Sequence, residues 1–185
     1  MAKEVIYSNR SLLEPAYFVK EVDTVESIAN AHGLSPEFLA AINGLGSTRA
    51  LVAGSTLKVL KGPFNAKVDL GRSEMTLYLG GLYAGRFPIS TGNEPAPKAG
   101  MFEVVDRQTK RTYYGASSNV LKHSDPRNPY GGYWIDLGEG LCIHGSAEMF
   151  SEDLANAGCI SLAPIDARDI YNILVNGSQV EIAGK

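Results

Sequence analysis

The chain has 185 residues, 44% of them hydrophobic, and a formal net charge of −3, enough apolar content for one core of moderate size beside a small satellite. The charge gives no electrostatic case for nucleic acid, and no basic run carries interleaved aromatics. No apolar stretch is long enough to span a bilayer and no charged-then-apolar leader opens the sequence, so the chain reads as soluble and unprocessed.

Residues 1–16 read as an N-terminal extension. Tyr17-Phe18-Val19-Lys20 then reads as a short strand. Val25, Ile28 and Ala29 give one apolar helical face, with Gly33 placed as the C′ stop; Thr24 and Ser27 make a partial capping pattern in front of it. Ser35 caps a second helix with Pro36 at its first position, Phe38, Leu39 and Ile42 on one face, and Asn43-Gly44 as the break. Gly54-Ser55-Thr56-Leu57-Lys58-Val59 closes the unit as a strand. His32 ends the first helix, where a partial positive charge is favourable and no function is needed.

Over residues 17–60 this strand–helix–helix–strand order resembles a LysM module, a βααβ unit that binds N-acetylglucosamine-containing glycans such as peptidoglycan or chitin. The resemblance implies a shallow groove between the loop after the first strand and the loop after the second helix, which nominates Asp23, Thr24, Asn43 and Gly44 as glycan contacts made largely through backbone. Residues 61–63, Lys61-Gly62-Pro63, read as a short linker, with flexibly joined or lightly packed domains on either side.

From Phe64 to Gly145 short alternating apolar runs, such as Val68-Leu70, Met75-Leu77-Leu79 and Phe87-Ile89, are broken by Gly-Gly and Asn/Pro signals. That pattern predicts an antiparallel, β-rich domain over residues 64–185. One late helix is expected with Asp166 as its N-cap, Ile170, Ile173 and Leu174 on one face, and Asn176-Gly177 as its stop, before a closing strand at Val180-Glu181-Ile182. Trp134 alternates with Asp136 in a strand pattern and is assigned to the core, whereas Tyr114 and Tyr130, among glycines in long loops, are groove candidates.

The segments Ile143-His144-Gly145-Ser146 and Asn156-Ala157-Gly158-Cys159-Ile160-Ser161 place an imidazole and a thiol 15 residues apart in a chain with three histidines and two cysteines. A thiol attacks as its thiolate, and a histidine supplies both the charge that favours ionisation and the later proton transfer. Gly158 permits a tight turn that exposes Cys159, whose amide together with that of Gly158 could receive an oxyanion. Two cysteines also allow one disulfide. If Leu141-Cys142-Ile143 is a strand, Cys142 and His144 share a face and Cys142 can approach Cys159. Buried small hydrophobe is the favoured reading for Cys142, and nucleophile for Cys159. His123 lies in a polar loop and is read as solvated. The His and Cys spacings match no zinc pattern, so no metal and no cofactor are expected.

These residues resemble the YkuD-like L,D-transpeptidases, whose signature is His-Gly-Ser/Thr followed by Ser/Thr-His-Gly-Cys-hydrophobic-Arg/Asn. His144, Gly145, Ser146, Gly158, Cys159 and Ile160 match it; Asn156, Ala157 and Ser161 depart. Gly85-Arg86-Phe87-Pro88-Ile89-Ser90-Thr91-Gly92, Pro97-Lys98-Ala99-Gly100-Met101-Phe102 and Tyr133-Trp134-Ile135 extend the likeness from about Phe64 to the C-terminus. The resemblance implies a β-sandwich, Cys159 as nucleophile, His144 as its acid–base partner oriented by Ser146, an oxyanion site at Gly158 and Cys159, and substrate contacts at Gly145, Tyr114, Tyr130 and Ser161. The implied reaction is acyl-enzyme formation on a tetrapeptide stem and transfer to a diamino-acid side-chain amine, giving a 3→3 cross-link. Water as acceptor would make an L,D-carboxypeptidase, and a decayed site would leave a non-catalytic peptidoglycan-binding protein. Both resemblances name one polymer, and a weak glycan tether raises the local concentration of stem peptides. An extracytoplasmic location is expected, with the export signal lying outside this sequence.

Overall fold

The computed structural model describes residues 2–46, 50–91, 96–114, 120–145 and 158–184. Among them the elements run α1 (Ala2–Tyr7), β1 (Tyr17–Phe18), α2 (Val25–Ala31), α3 (Pro36–Ile42), β2 (Thr56–Leu57), β3 (Phe64–Asp69), β4 (Glu74–Leu79), β5 (Leu82–Pro88), β6 (Ser90–Thr91), β7 (Gly100–Glu103), β8 (Asp106–Gln108), β9 (Tyr113–Tyr114), β10 (Val120–Leu121), β11 (Trp134–Gly138), β12 (Leu141–Gly145), β13 (Cys159–Leu162), α4 (Pro164–Ile173) and β14 (Gln179–Ala183). Among the described residues no helix is long and apolar enough to cross a membrane.

The N-terminal unit is βααβ, with β1 paired antiparallel to β2. Its helices start where short polar side chains replace missing backbone acceptors. Thr24 accepts from the Ser27 amide while Ser27 Oγ accepts from the Thr24 amide, so the capping box is complete rather than partial, because a serine hydroxyl at N3 does the work usually given to Glu or Gln. Ser35 accepts from the Phe38 amide ahead of Pro36.

The C-terminal part is a sandwich of two five-stranded sheets, ordered β5-β4-β3-β14-β7 and β6-β13-β12-β11-β8. Period-2 burial along β3, β4 and β14 puts Phe64, Ala66, Val68, Met75, Leu77, Leu79, Val180 and Ile182 inward. Most pairings are antiparallel, but β12–β13 and β3–β14 run parallel, and these sit at the centre of their sheets. The β14–β3 crossover spans most of the domain, which local alternation cannot reveal. The late helix caps at Ala163 rather than Asp166: Pro164 presets the helical φ two residues earlier, and Asp166 falls in the first turn, near the positive end of the helix. It ends at Ile173, because Leu174 is extended and the Ser178 amide turns back to the Val175 carbonyl.

The short linker is packed, not loose. The Gly62 amide donates to the His32 carbonyl at 2.8 Å, and a Cβ on Gly62 would stand 2.1 Å from the Gly33 carbonyl oxygen. The Phe38 and Phe64 rings meet edge to face at 4.9 Å, and Ser35 Oγ donates to the Asn172 carbonyl of α4. Lys58 is 3% exposed, and its ammonium donates to the carbonyls of Val5, Ile6 and Ser8 at 2.7, 2.8 and 2.5 Å, closing the C-terminal end of α1. Burial lowers the Lys58 pKa from its ordinary value. One apolar cluster runs without interruption from Ile6 through both helices of the N-terminal unit into the sandwich.

Candidate active site

Register builds the site. On β12 the parallel pairing sets Cys142 opposite Cys159 and His144 opposite Ser161 of β13. On its other side β11 sets Trp134 against His144 and Asp136 against Cys142, and β8 continues the row with Gln108 and Asp106. Cross-strand partners share a face, so these residues form one polar and sulfur-bearing surface. The alternate residues Ile135, Ile143 and Ile160 enter the core on the opposite face.

Cys142 and Cys159 are joined in a disulfide, with Cα atoms 4.7 Å apart. Cys142 is therefore a bonding partner as well as a buried side chain, which corrects the small-hydrophobe reading. Parallel neighbours in direct register bring the two Cβ atoms as close as a disulfide needs, and a single strand pattern could not show that β13 lies beside β12. Gly158 precedes Cys159 with φ +79, in the left-handed region, as expected for the tight turn, but the turn does not expose Cys159, which is buried at the start of β13.

His144 is 2% exposed. Its Nδ1 lies 3.1 Å from the Gly145 carbonyl and its Nε2 3.2 Å from Ser161 Oγ. A carbonyl only accepts, so Nδ1 carries the proton and Nε2 presents the lone pair, to which the Ser161 hydroxyl donates. Desolvation by burial pushes the His144 pKa below its ordinary value, against the smaller opposing effect of hydrogen bonds to the Gly145 and Pro129 carbonyls. A ring nitrogen of His144 and the two sulfurs all lie within 4.8 Å of one another. Those three atoms are a potential metal-ligand set that sequence spacing did not disclose; in the disulfide form neither sulfur is a thiolate ligand.

Gly145 is held between the Gly131 backbone and the Ala167 side chain. A Cβ on Gly131 would come 2.3 Å from the Gly145 carbonyl oxygen, and one on Gly145 would sit 3.0 Å from Ala167 of α4. The loop carrying Gly131 and Tyr130 is tied by the buried Asn128, whose Nδ2 reaches the carbonyls of Arg111, Leu121 and Lys122 at 3.0–3.1 Å and whose Oδ1 accepts from the Tyr130 amide at 2.9 Å. Tyr130 meets the His144 ring at 5.5 Å and lines a cavity of about 280 Å³ with Arg111, Trp134, Asp136, Cys142 and Cys159.

Of the expected residues, the structure thus gathers Cys159, His144, Gly145, Gly158, Tyr130 and Ser161. Trp134 is buried as expected, but on the site face. Tyr114 is 76% exposed in the β9–β10 hairpin, and His123 is exposed in its loop. Ser146, Asn156 and Ala157 lie outside the described residues. Arg111 and Asn128 were not singled out from the sequence, although Asn128-Pro129 is a turn signal and Arg111 adjoins the Tyr113-Tyr114 pair. In the N-terminal unit, Asp23 accepts from the Tyr17 hydroxyl and the Lys20 amide, Thr24 caps α2, and the Asn43 amide group bonds the Leu39 and Lys58 backbones. Gly44, at φ +62, follows the end of α3.

Residues 64–182 match the YkuD family, the L,D-transpeptidase catalytic domain. The chain belongs to that family. Residues 17–60 match the LysM domain. YkuD of Bacillus subtilis (strain 168) is 27% identical over 174 residues, covering 90% of this chain and 97% of its own, and YkuD of Bacillus licheniformis is 27% identical over 177 residues with the same coverage. Among solved structures, an L,D-transpeptidase from Stackebrandtia nassauensis superposes with a TM-score of 0.53 at 19% identity over 68% of this chain and 57% of that one. L,D-transpeptidase 3 from Mycobacterium tuberculosis, solved with a faropenem-derived adduct, does so with a TM-score of 0.54 at 17% identity over 72% and 66%. These structures share the catalytic fold, and the chain spans about 57% to 66% of their lengths.

Proposed function

We propose that this YkuD-family protein is a peptidoglycan-remodelling cysteine L,D-transpeptidase that works outside the cytoplasm, with Cys159 as nucleophile and His144 as its acid–base partner. The observation that carries the reading is the parallel register that puts Cys159 beside His144 on one face of β12–β13 within the family-matched domain. Reduction of the Cys142–Cys159 disulfide by an external dithiol frees the Cys159 thiol. The Ser161 hydroxyl turns its hydrogen away from His144 Nε2, and that nitrogen takes the proton. The thiolate attacks the carbonyl between residues three and four of a tetrapeptide stem, and the Gly158 and Cys159 amides receive the oxyanion. As the C–N bond breaks, His144 returns the proton to the departing D-alanine amine and leaves a thioester on Cys159. A diamino-acid side-chain amine then attacks the thioester, losing its proton through His144 and restoring the thiol; Ser161 holds the imidazole through this cycle.

The LysM unit supports a glycan-bound enzyme, with the loops at Asp23-Thr24 and Asn43-Gly44 offering backbone groups to the sugar because their side chains are already engaged. Mass spectrometry of intact reduced protein after exposure to a penem or carbapenem tests the nucleophile. An adduct on wild type and Cys142→Ala, absent from Cys159→Ala, is expected; no adduct on any reduced form favours a non-catalytic wall-binding protein. Muropeptide products then divide cross-linking from hydrolysis.

A further inference from the structure

Arg111 stands over the ring of Trp134, with its guanidinium carbon 3.7 Å from the ring centroid, and 5.9 Å from that of Tyr130. Stacking of this kind covers one face of the guanidinium and leaves its in-plane N–H groups to point along the ring. Those groups are under-used. Among the described residues the buried Nε has no hydrogen-bond partner, and one terminal nitrogen reaches only Gln108 Oε1, at 3.4 Å. Among the described residues no carboxylate lies in salt-bridge range of Arg111. The neighbouring acids bond other partners: Asp106 accepts from Gln108 at 2.7 Å and feels Arg111 only as a weaker attraction through space, Asp136 accepts from the Gly138 amide at 2.8 Å, and Glu139 pairs with Lys98 at 2.9 Å.

A buried donor left unsatisfied costs free energy unless something outside the chain completes it. Arg111 lines the same cavity as Cys159, and the planar fork of a guanidinium suits one chemistry above others, a carboxylate held by two parallel N–H···O bonds. Asn128 fixes the backbone on both sides of that cavity, holding the Arg111 carbonyl and the Tyr130 amide at once. Resting on the reading of Cys159 as nucleophile, we propose that Arg111 is a substrate-binding residue that recognises a carboxylate of the peptide being acylated or attacked, and so selects ends bearing a free acid. Two carboxylates of a stem peptide have that chemistry: the C-terminal one, and the one on the side-chain end of the diamino acid.

The test uses reduced full-length protein and three synthetic tetrapeptides: the free acid, the C-terminal amide, and the peptide amidated at the diamino-acid side-chain carboxylate. Wild type is expected to favour the free acid over one of the two amides by about 10- to 100-fold in kcat/KM, the scale of a charge-assisted bidentate contact. Which amide fails names the carboxylate. Arg111→Gln brings that ratio toward one, and Arg111→Lys retains part of it. Binding of the same peptides to Cys159→Ala, with and without Arg111→Gln, reads the ratio without chemistry. Equal use of all three peptides by wild type, or a preference unchanged in Arg111→Gln, overturns the proposal. Absence of turnover with a binding preference that follows Arg111 overturns instead the reading of Cys159.

Discussion

The LysM unit and the β11–β12–β13 face use polar side chains in opposite ways. In the first, Thr24, Ser27, Ser35, Asp23 and Asn43 each complete a backbone group of their own unit, so the polar residues are the means by which a very small core stays folded. In the second, His144, Ser161, both sulfurs and Arg111 face one another or an open cavity across strands that other residues hold in place. A polar residue is therefore most informative about chemistry where the backbone leaves part of it over, as at His144, whose Nδ1 goes to the Gly145 carbonyl while Nε2 faces Ser161. The proposed function accordingly has the loops of the LysM unit offer main chain to a ligand, and the sandwich offer side chains.

The contrast sharpens most at Cys159. Cys159→Ala and Cys142→Ala delete the same disulfide, yet only the former should abolish acyl transfer, by at least about 10³-fold, while oxidised wild type is silent until a dithiol is added; equal residual activity in both variants would break the assignment. His144→Gln, compared under reducing conditions, is expected to lose about 10²- to 10⁴-fold in kcat with the fold retained by circular dichroism. On the structural side, Lys58→Met strips the donors from three carbonyls at the end of α1 and should cost about 2–3 kcal/mol, a fall in Tm of roughly 4–10 °C, without moving the catalytic pH profile. Thr24→Ala removes half of a capping box and should cost about 1 kcal/mol in urea melts, with acyl transfer to a soluble peptide unaltered.

The smallest effect concerns acidity. Burial holds the folded His144 pKa below 6.5, its ordinary value. As pH falls below about 6.5 the unfolded chain takes up the proton first, so stability is complete above that value and declines beneath it toward the folded pKa. The Tm of wild type should therefore drop more steeply than that of His144→Gln between pH 7 and 5.

The arrangement of elements was legible wherever it is local. Thr24, Ser35 with Pro36, and Gly33 mark helix ends by their own chemistry, and the alternation at Met75-Leu77-Leu79 marks a strand by its burial. The nearness of Cys159 to His144 was legible because thiols and imidazoles are rare here. What stayed open or escaped depends on pairing between distant strands. The disulfide, which the sequence allowed without favouring, and the His144–Ser161 contact, which it did not show, both follow from the parallel register of β12 and β13. Arg111 reaches the cavity because Asn128, 17 residues on, holds its carbonyl. Asp166 lost the helix cap because Pro164 acts first, a competition between two valid start signals. Lys61-Gly62-Pro63 reads as a short linker by composition, but a glycine also serves where two backbones touch.

That contact at Gly62 bears on how the molecule comes apart. The two family matches meet between residues 60 and 64, but Leu60, Phe38 and Phe64 belong to a single uninterrupted core. Heat should melt the molecule in one calorimetric transition rather than two, because neither half can lose its packing without exposing the other's. Cutting the chain at residue 61 would leave Phe64 and the adjoining faces of β5 and α4 open to water, so the severed catalytic half is a different, stickier protein, and the cooperative unit is wider than either of the sequence families that compose it.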